Sequence, residues 1–188
     1  LQADALLDER GKMYPVQKTA DGAVVYVEQL PPKGYKTFLV INGQQDNEEK
    51  FYRPDDYTLE TPFYKIHLDG CGCFDRIYDK ENDREILQEG QRGNRFVMYE
   101  DKPIYYDNWD IDIYYSEKSW EVYEVTSMEW TECGPVRATL EIERRESNSV
   151  IRQKIHFYAE SRRIDFETWV DWKEHQTLLK VHFPVNVH

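Results

Sequence analysis

The chain has 188 residues, 40% hydrophobic and 14% aromatic, and its 24 Lys+Arg against 36 Asp+Glu leave a formal net charge of −12. At this length roughly 70% of the extended-chain surface can be buried, so neither a disulfide nor a metal staple is required. The acidity argues against nucleic acid or an anionic membrane as partner, the 14 Tyr and 5 Trp exclude disorder, and no apolar run nears the roughly 18 residues of a membrane span.

The first strand signals are Ala23-Val24-Val25-Tyr26-Val27 and Tyr35 to Ile41, separated by Leu30-Pro31-Pro32-Lys33-Gly34. A polar, acidic stretch from Asn42 to Thr61 follows, with Asn42-Gly43 as a turn signal, and reads as a linker or crossover. Pro62 opens a run from Phe63 to Leu68, closed by Asp69-Gly70. Ser119 to Met128 has a helix-like outline, yet Val122, Tyr123, Val125 and Thr126 favour a strand. Beyond it the period is two. Val136, Ala138, Leu140 and Ile142 alternate with charged or polar neighbours, and so do Ile151, Gln153, Ile155 and Phe157 after the turn Glu146-Ser147-Asn148-Ser149. Ile164, Phe166, Thr168, Val170 and Trp172 make a third run, and Leu179, Val181, Phe183 and Val185 a fourth. No sustained helical period and no repeat is present. The expected fold is all-β, an antiparallel sandwich.

Leu1 in place of a methionine, and an end inside the alternating run Leu178 to His188, lead to the expectation of an excised segment. That last run, guarded only by Lys180, His182 and Asn186, is expected to self-associate through an unpaired edge, giving a homo-oligomer, or to be disordered.

Little in the sequence speaks for chemistry. Cys71 and Cys73 form a lone Cys-x-Cys with Cys133 far away, which lacks the partner ligands of a structural zinc site. Three free thiols and no zinc are expected. With no visible signal peptide, they fit a reducing, cytoplasmic compartment. The five histidines are scattered; a mutarotase-like sugar epimerase would need a paired histidine and carboxylate as acid and base, which His182 and Glu174 could form in space although the sequence does not show it. No phosphate loop or nucleophile elbow occurs. The sharpest local feature runs from Tyr99 to Asp112 and mixes carboxylates with aromatics, unsuited to strand or helix. Asp107, Trp109, Asp110 and Asp112 are the candidates there. Aromatic faces stack on sugar rings and carboxylates accept hydroxyl protons. The plainer reading is a surface loop with an aromatic anchor and solvated acidic tips.

Arg76-Ile77-Tyr78-Asp79-Lys80, Gly93-Asn94, Glu100-Asp101-Lys102-Pro103 and Asp107-Asn108-Trp109-Asp110-Ile111-Asp112 together resemble the C-terminal region of glycoside hydrolase family 38, the α-mannosidases, in their cytosolic and bacterial branch. The resemblance continues through Glu132-Cys133-Gly134-Pro135-Val136-Arg137-Ala138, Arg163-Ile164-Asp165-Phe166, Val170-Asp171-Trp172 and Leu179 to Pro184. Asn108 departs from the alanine expected there.

The resemblance implies a galactose-mutarotase-like supersandwich, incomplete because the family's later segments do not follow. It implies strands of a small preceding β-domain over 1–45, a linker or crossover over 46–61, and the supersandwich over 62–188. The family's retaining, zinc-dependent hydrolysis of α-linked mannose belongs to an N-terminal barrel, so no catalytic residue, metal ligand or cofactor is assigned to this chain. Zinc is expected in the catalytic domain of the parent enzyme. The implied role is a non-catalytic, cytoplasmic domain that packs on that barrel and frames its cleft, meeting a mannose-containing glycan through the parent. The alternatives are a free-standing carbohydrate-binding module, with Trp109, Trp120, Trp130, Trp169 and Trp172 as its aromatic platform, and the epimerase.

Overall fold

The computed structural model describes residues 3–43, 50–53 and 55–187, so 46–49 and 54 of the expected crossover lie outside the described residues. Strands β1 (Ala5–Asp8), β2 (Met13–Thr19), β3 (Gly22–Val25) and β4 (Phe38–Ile41) form an antiparallel sheet in the order β3-β2-β1-β4. A second sheet is the meander β5 (Thr58–Glu60), β6 (Tyr64–Leu68), β7 (Phe74–Asp79) and β8 (Arg84–Glu85). Strands β9 (Arg95–Glu100) and β10 (Ser119–Glu121) belong to a small sheet. The longest strands, β11 (Val125–Cys133), β12 (Arg137–Glu146), β13 (Ser149–Tyr158) and β14 (Ile164–Asp171), form a second meander. The last strand, β15 (Thr177–His182), returns to complete the small sheet in the order β10-β9-β15. One 3-10 helix, Ile113–Glu117, is the only helical turn among the described residues. The fold is the expected all-β sandwich.

Alternation sets the layers. Ala138, Leu140 and Ile142 of β12 and Ile155 and Phe157 of β13 point to one side, each at most 2% exposed. They pack against Leu59, Ile66, Leu68, Phe74 and Ile77 from the β5–β8 sheet. Burying each such large side chain is worth about 1.5–3 kcal/mol, so this interface dominates the stability. Phe74 sits edge-on to Phe157 and Phe166, at 6.3 and 5.9 Å between ring centres. β5 lies within the stretch read as a crossover, and Phe51 from the same stretch is buried in this core. On β14 the alternation holds but burial does not: Phe166 packs on the main core, while Val170, near the strand's end, is exposed. A second, smaller core joins Phe96, Met98 and Val122 to Ile151, with Trp172 and Leu179 against it.

Gln17 of β2 ties the first sheet to the sandwich. Its side-chain Oε1 accepts from the backbone N–H of Val136 (3.0 Å) and Arg137 (2.8 Å) at the β11–β12 turn. Gly134 has no side chain because a Cβ there would lie 2.5 Å from Gln17 Cδ. Within the first sheet, buried Asp8 accepts from the N–H of Arg10 and Lys12 and from the Tyr14 hydroxyl, and pairs with Lys36 at 2.9 Å. The Lys36 ammonium, followed by those N–H and O–H donors, holds its carboxyl well below the usual carboxylate range.

Candidate functional site

The stretch singled out in the sequence is the β9–β10 loop, running from Asp101 to Lys118. Its base is pinned: Glu100 Oε1 accepts from Lys102 (2.9 Å) and Lys118 (2.8 Å), and the Asp101 N–H donates to Gln176 O. The tip turns at Tyr106 (φ +60°), whose carbonyl accepts from the N–H of both Trp109 and Asp110. Asp112 caps the 3-10 helix, accepting from the Tyr114 N–H at 3.4 Å. The aromatic anchor is Tyr115, edge-on to Tyr99 at 5.2 Å and accepting from Lys180 Nζ at 2.5 Å. Trp109 anchors nothing and is 91% exposed, with Tyr105, Tyr106 and Ile113 exposed around it. The side-chain carboxylates of Asp107 and Asp110 have no hydrogen-bond or ion-pair partner among the described residues. The loop thus brings Asp107, Trp109 and Asp110 to one protruding tip, with Asp112 turned to its own backbone. Solvated carboxylates without a positioned proton donor carry contact, not acid–base chemistry.

The epimerase pair does not form. His182 Nε2 contacts the Tyr99 hydroxyl at 2.9 Å, and burial, then Arg95 and Lys180, push its pKa down. Glu174 instead accepts from Asn148 N and Ser149 Oγ. The five tryptophans share no platform. Trp130 packs on the main core, donating Nε1–H to Asp56 O, and Trp172 packs on the smaller one. Trp109 is on the loop and Trp120 on β10, which leaves Trp169 alone on the outer face of β14.

Cys71 and Cys73 sit on the β6–β7 turn, where Asp69 Oδ1 accepts from both their N–H groups. Burial, then Asp69, pushes the Cys73 thiol up to about 12, and burial raises Cys71 as well. All three cysteines are free, and among the described residues no three His, Cys, Asp or Glu converge on a point. Thiols held protonated and lacking partner ligands do not fit a zinc ion. A thiol-reagent titration is expected to label exposed Cys133 first, Cys71 slowly and Cys73 only after unfolding, with no stoichiometric zinc in metal analysis. Zinc released on replacing Cys71 and Cys73 would contradict this.

What the sequence reading missed is a buried polar cluster at the start of β9, the end of that strand away from the loop. Arg144 is fully buried, its Nη2 donating to the carbonyls of Cys71 and Gly72 at 3.0 Å each. It lies 4.9 Å from the centre of the Phe96 ring, and its Nη1 has no partner. Asn94 (φ +57°) and Gln153 exchange amide hydrogen bonds, and Gln153 also donates to Thr168 Oγ1. Arg92 bridges Asp69 and Glu121, both at 2.7 Å. These groups join the β6–β7 turn to the start of β9 and to β12–β14. They fix the strand from which the loop springs. The available signal was position 144 itself, an arginine in register with Ala138, Leu140 and Ile142.

Residues 59–188 match the family model of the glycosyl hydrolases family 38 C-terminal domain, and the chain belongs to that family. It is 28% identical over 184 residues to alpha-mannosidase G of Dictyostelium discoideum, covering 88% of this chain and 17% of that protein. To alpha-mannosidase 2C1 of Mus musculus it is 30% identical over 132 residues, 69% of this chain and 13% of the relative. The Homo sapiens alpha-mannosidase 2C1 gives the same identity and coverage. The chain therefore spans less than a fifth of the length of these relatives.

Proposed function

We propose that the chain works as the non-catalytic β-domain of a longer, cytoplasmic enzyme that hydrolyses α-linked mannose. In this reading 1–45 belong to a small preceding domain, 46–61 are a crossover, and 62–188 are a mutarotase-like supersandwich. The domain packs beside the catalytic barrel, which holds the zinc. Its β9–β10 loop meets the barrel or a bound mannose-containing glycan through Asp107, Trp109 and Asp110. The observation that carries this is Trp109, 91% exposed at the tip of a loop whose base is pinned. Together with exposed Tyr105, Tyr106 and Ile113 it makes an apolar cluster on that loop, and an exposed apolar cluster supports a contact surface.

The chain alone is expected to leave an activated aryl α-mannoside intact, with or without zinc, since hydrolysis needs a nucleophile or activated water and a proton donor together. In the parent enzyme, Trp109→Ala is expected to raise KM or loosen domain contact while the unfolding of this chain is unchanged. Turnover that follows the pure chain through purification and vanishes on replacing Asp107 or Asp110 would overturn the reading.

A further inference from the structure

The outer face of the β11–β14 sheet is divided. Toward the end where Gln17 docks, Thr139 and His156 are buried. Toward the other end it opens into a hollow of about 440 Å³, lined by Glu129, Glu141, Glu143, Arg152, Lys154 and Trp169. That volume lies in the range of small-ligand sites. We propose that this hollow is a binding subsite for a neutral oligosaccharide, with the Trp169 indole as the stacking surface for one sugar ring.

The register places the lining. Glu143 faces Arg152 across β12 and β13, Glu141 faces Lys154, and Arg152 faces Trp169 across β13 and β14. Glu143 is held by Arg152 (2.8 Å) and Thr126 Oγ1 (2.9 Å), Glu141 by Lys154 (3.0 Å) and Thr131 Oγ1 (3.3 Å). Four of the five charged groups, Glu141, Glu143, Arg152 and Lys154, are therefore paired on strands before any ligand arrives, which lowers the ordering cost of binding. Sugar hydroxyls are both donors and acceptors, and paired carboxylates and cations offer both. The C–H face of a pyranose matches an indole that is 49% exposed.

The same chemistry excludes other occupants. Three carboxylates against two cations nearly cancel, so neither a phosphate-rich nor a strongly cationic ligand is favoured. Trp169 is the one large apolar side chain among the lining residues that is exposed, too little for the apolar centre of a protein interface. The choice of mannose as the sugar rests on the function proposed above, whereas the hollow itself does not.

The test is titration of the 188-residue chain with α-linked mannotriose and with maltotriose, followed through the indole N–H signals of the tryptophans. Either sugar is expected to shift the Trp169 signal, with a dissociation constant of about millimolar order. Trp169→Ala is expected to weaken binding about tenfold or more and Trp169→Phe only a few-fold, with thermal unfolding of both unchanged. Preference for mannotriose would also support the enzyme reading. The subsite is overturned by no shift at about 20 mM sugar, by a response confined to Trp109, by unaltered binding in Trp169→Ala, or by equal binding of a sulfated oligosaccharide.

Discussion

Replacing Gly72 by alanine is expected to destabilise the chain by about 3 kcal/mol, with a fall in Tm of roughly 10 °C. Two costs combine. The backbone at Gly72 has φ +68°, a left-handed conformation that costs an L-residue about 1–2 kcal/mol. A Cβ there would also lie 2.6 Å from Ile142 Cδ1 and 2.8 Å from Arg144 Nη2. Both neighbours are fully buried, and the arginine cannot retreat without giving up the carbonyls of Cys71 and Gly72. Overpacking of this kind adds about 1–3 kcal/mol. Gly90 separates the two costs, having φ +70° with nothing within 4 Å of the new Cβ. Gly90→Ala should therefore lose only about 1 kcal/mol in urea unfolding. Equal losses at the two sites would show that the Arg144 cluster yields, against the packing argument.

The second large effect is expected at Gln17. Gln17→Ala removes the acceptor for the N–H groups of Val136 and Arg137, at a turn where Val136 is 4% exposed. An unsatisfied buried N–H costs about 1–3 kcal/mol, and Arg137 is partly open to water, so a loss of about 2–4 kcal/mol is expected. Amide exchange should accelerate at Val136 and Arg137 before it does in β13, and limited proteolysis should release the first sheet. Gln17→Glu keeps the acceptor but sets a carboxylate about 3.5 Å from Glu132, the distance now spanned by the Gln17 amide. It should fall between alanine and the parent chain. Unchanged exchange at Val136 in Gln17→Ala would mean that the two sheets are held together elsewhere.

How much of this was legible depends on strand length and on which faces meet water. β12, β13 and β14 are long and polar on one side, so period two shows plainly in their sequences. β9 hid because Phe96, Val97 and Met98 are all buried, which leaves an apolar run without a period. β2 hid because Pro15 stands inside it, and a proline argues against a central strand. β8, at two residues, carries no pattern at all. The loop was recognisable by its composition, but that Tyr115 rather than Trp109 holds it depends on Tyr99 and Lys180, one of them 65 residues away in sequence. Asn94 and Gln153 lie 59 residues apart in the chain, and Arg144 and Gly72 lie 72 apart, so the cluster forms only through folding. The alternation along β14 sets Trp169 with Asp165 and Glu167, yet the hollow beside it needs β11 to β13 as well.

The small sheet gives the folding of this chain an order in time. β9 receives β10 after a loop, but its other neighbour is β15, roughly 80 residues later in the sequence. At about 5–20 residues per second, synthesis leaves one edge of β9 open for about 4–16 s after it emerges. Through that interval Phe96 and Met98 lie on a strand with one free ladder, the kind of edge that recruits wrong partners. The β11–β14 meander can form meanwhile from neighbouring hairpins alone, and non-local pairing is the slower event. The β9–β10 loop is thus built early on a strand that is secured last. A nascent chain stalled before Thr177 would bind chaperones through β9.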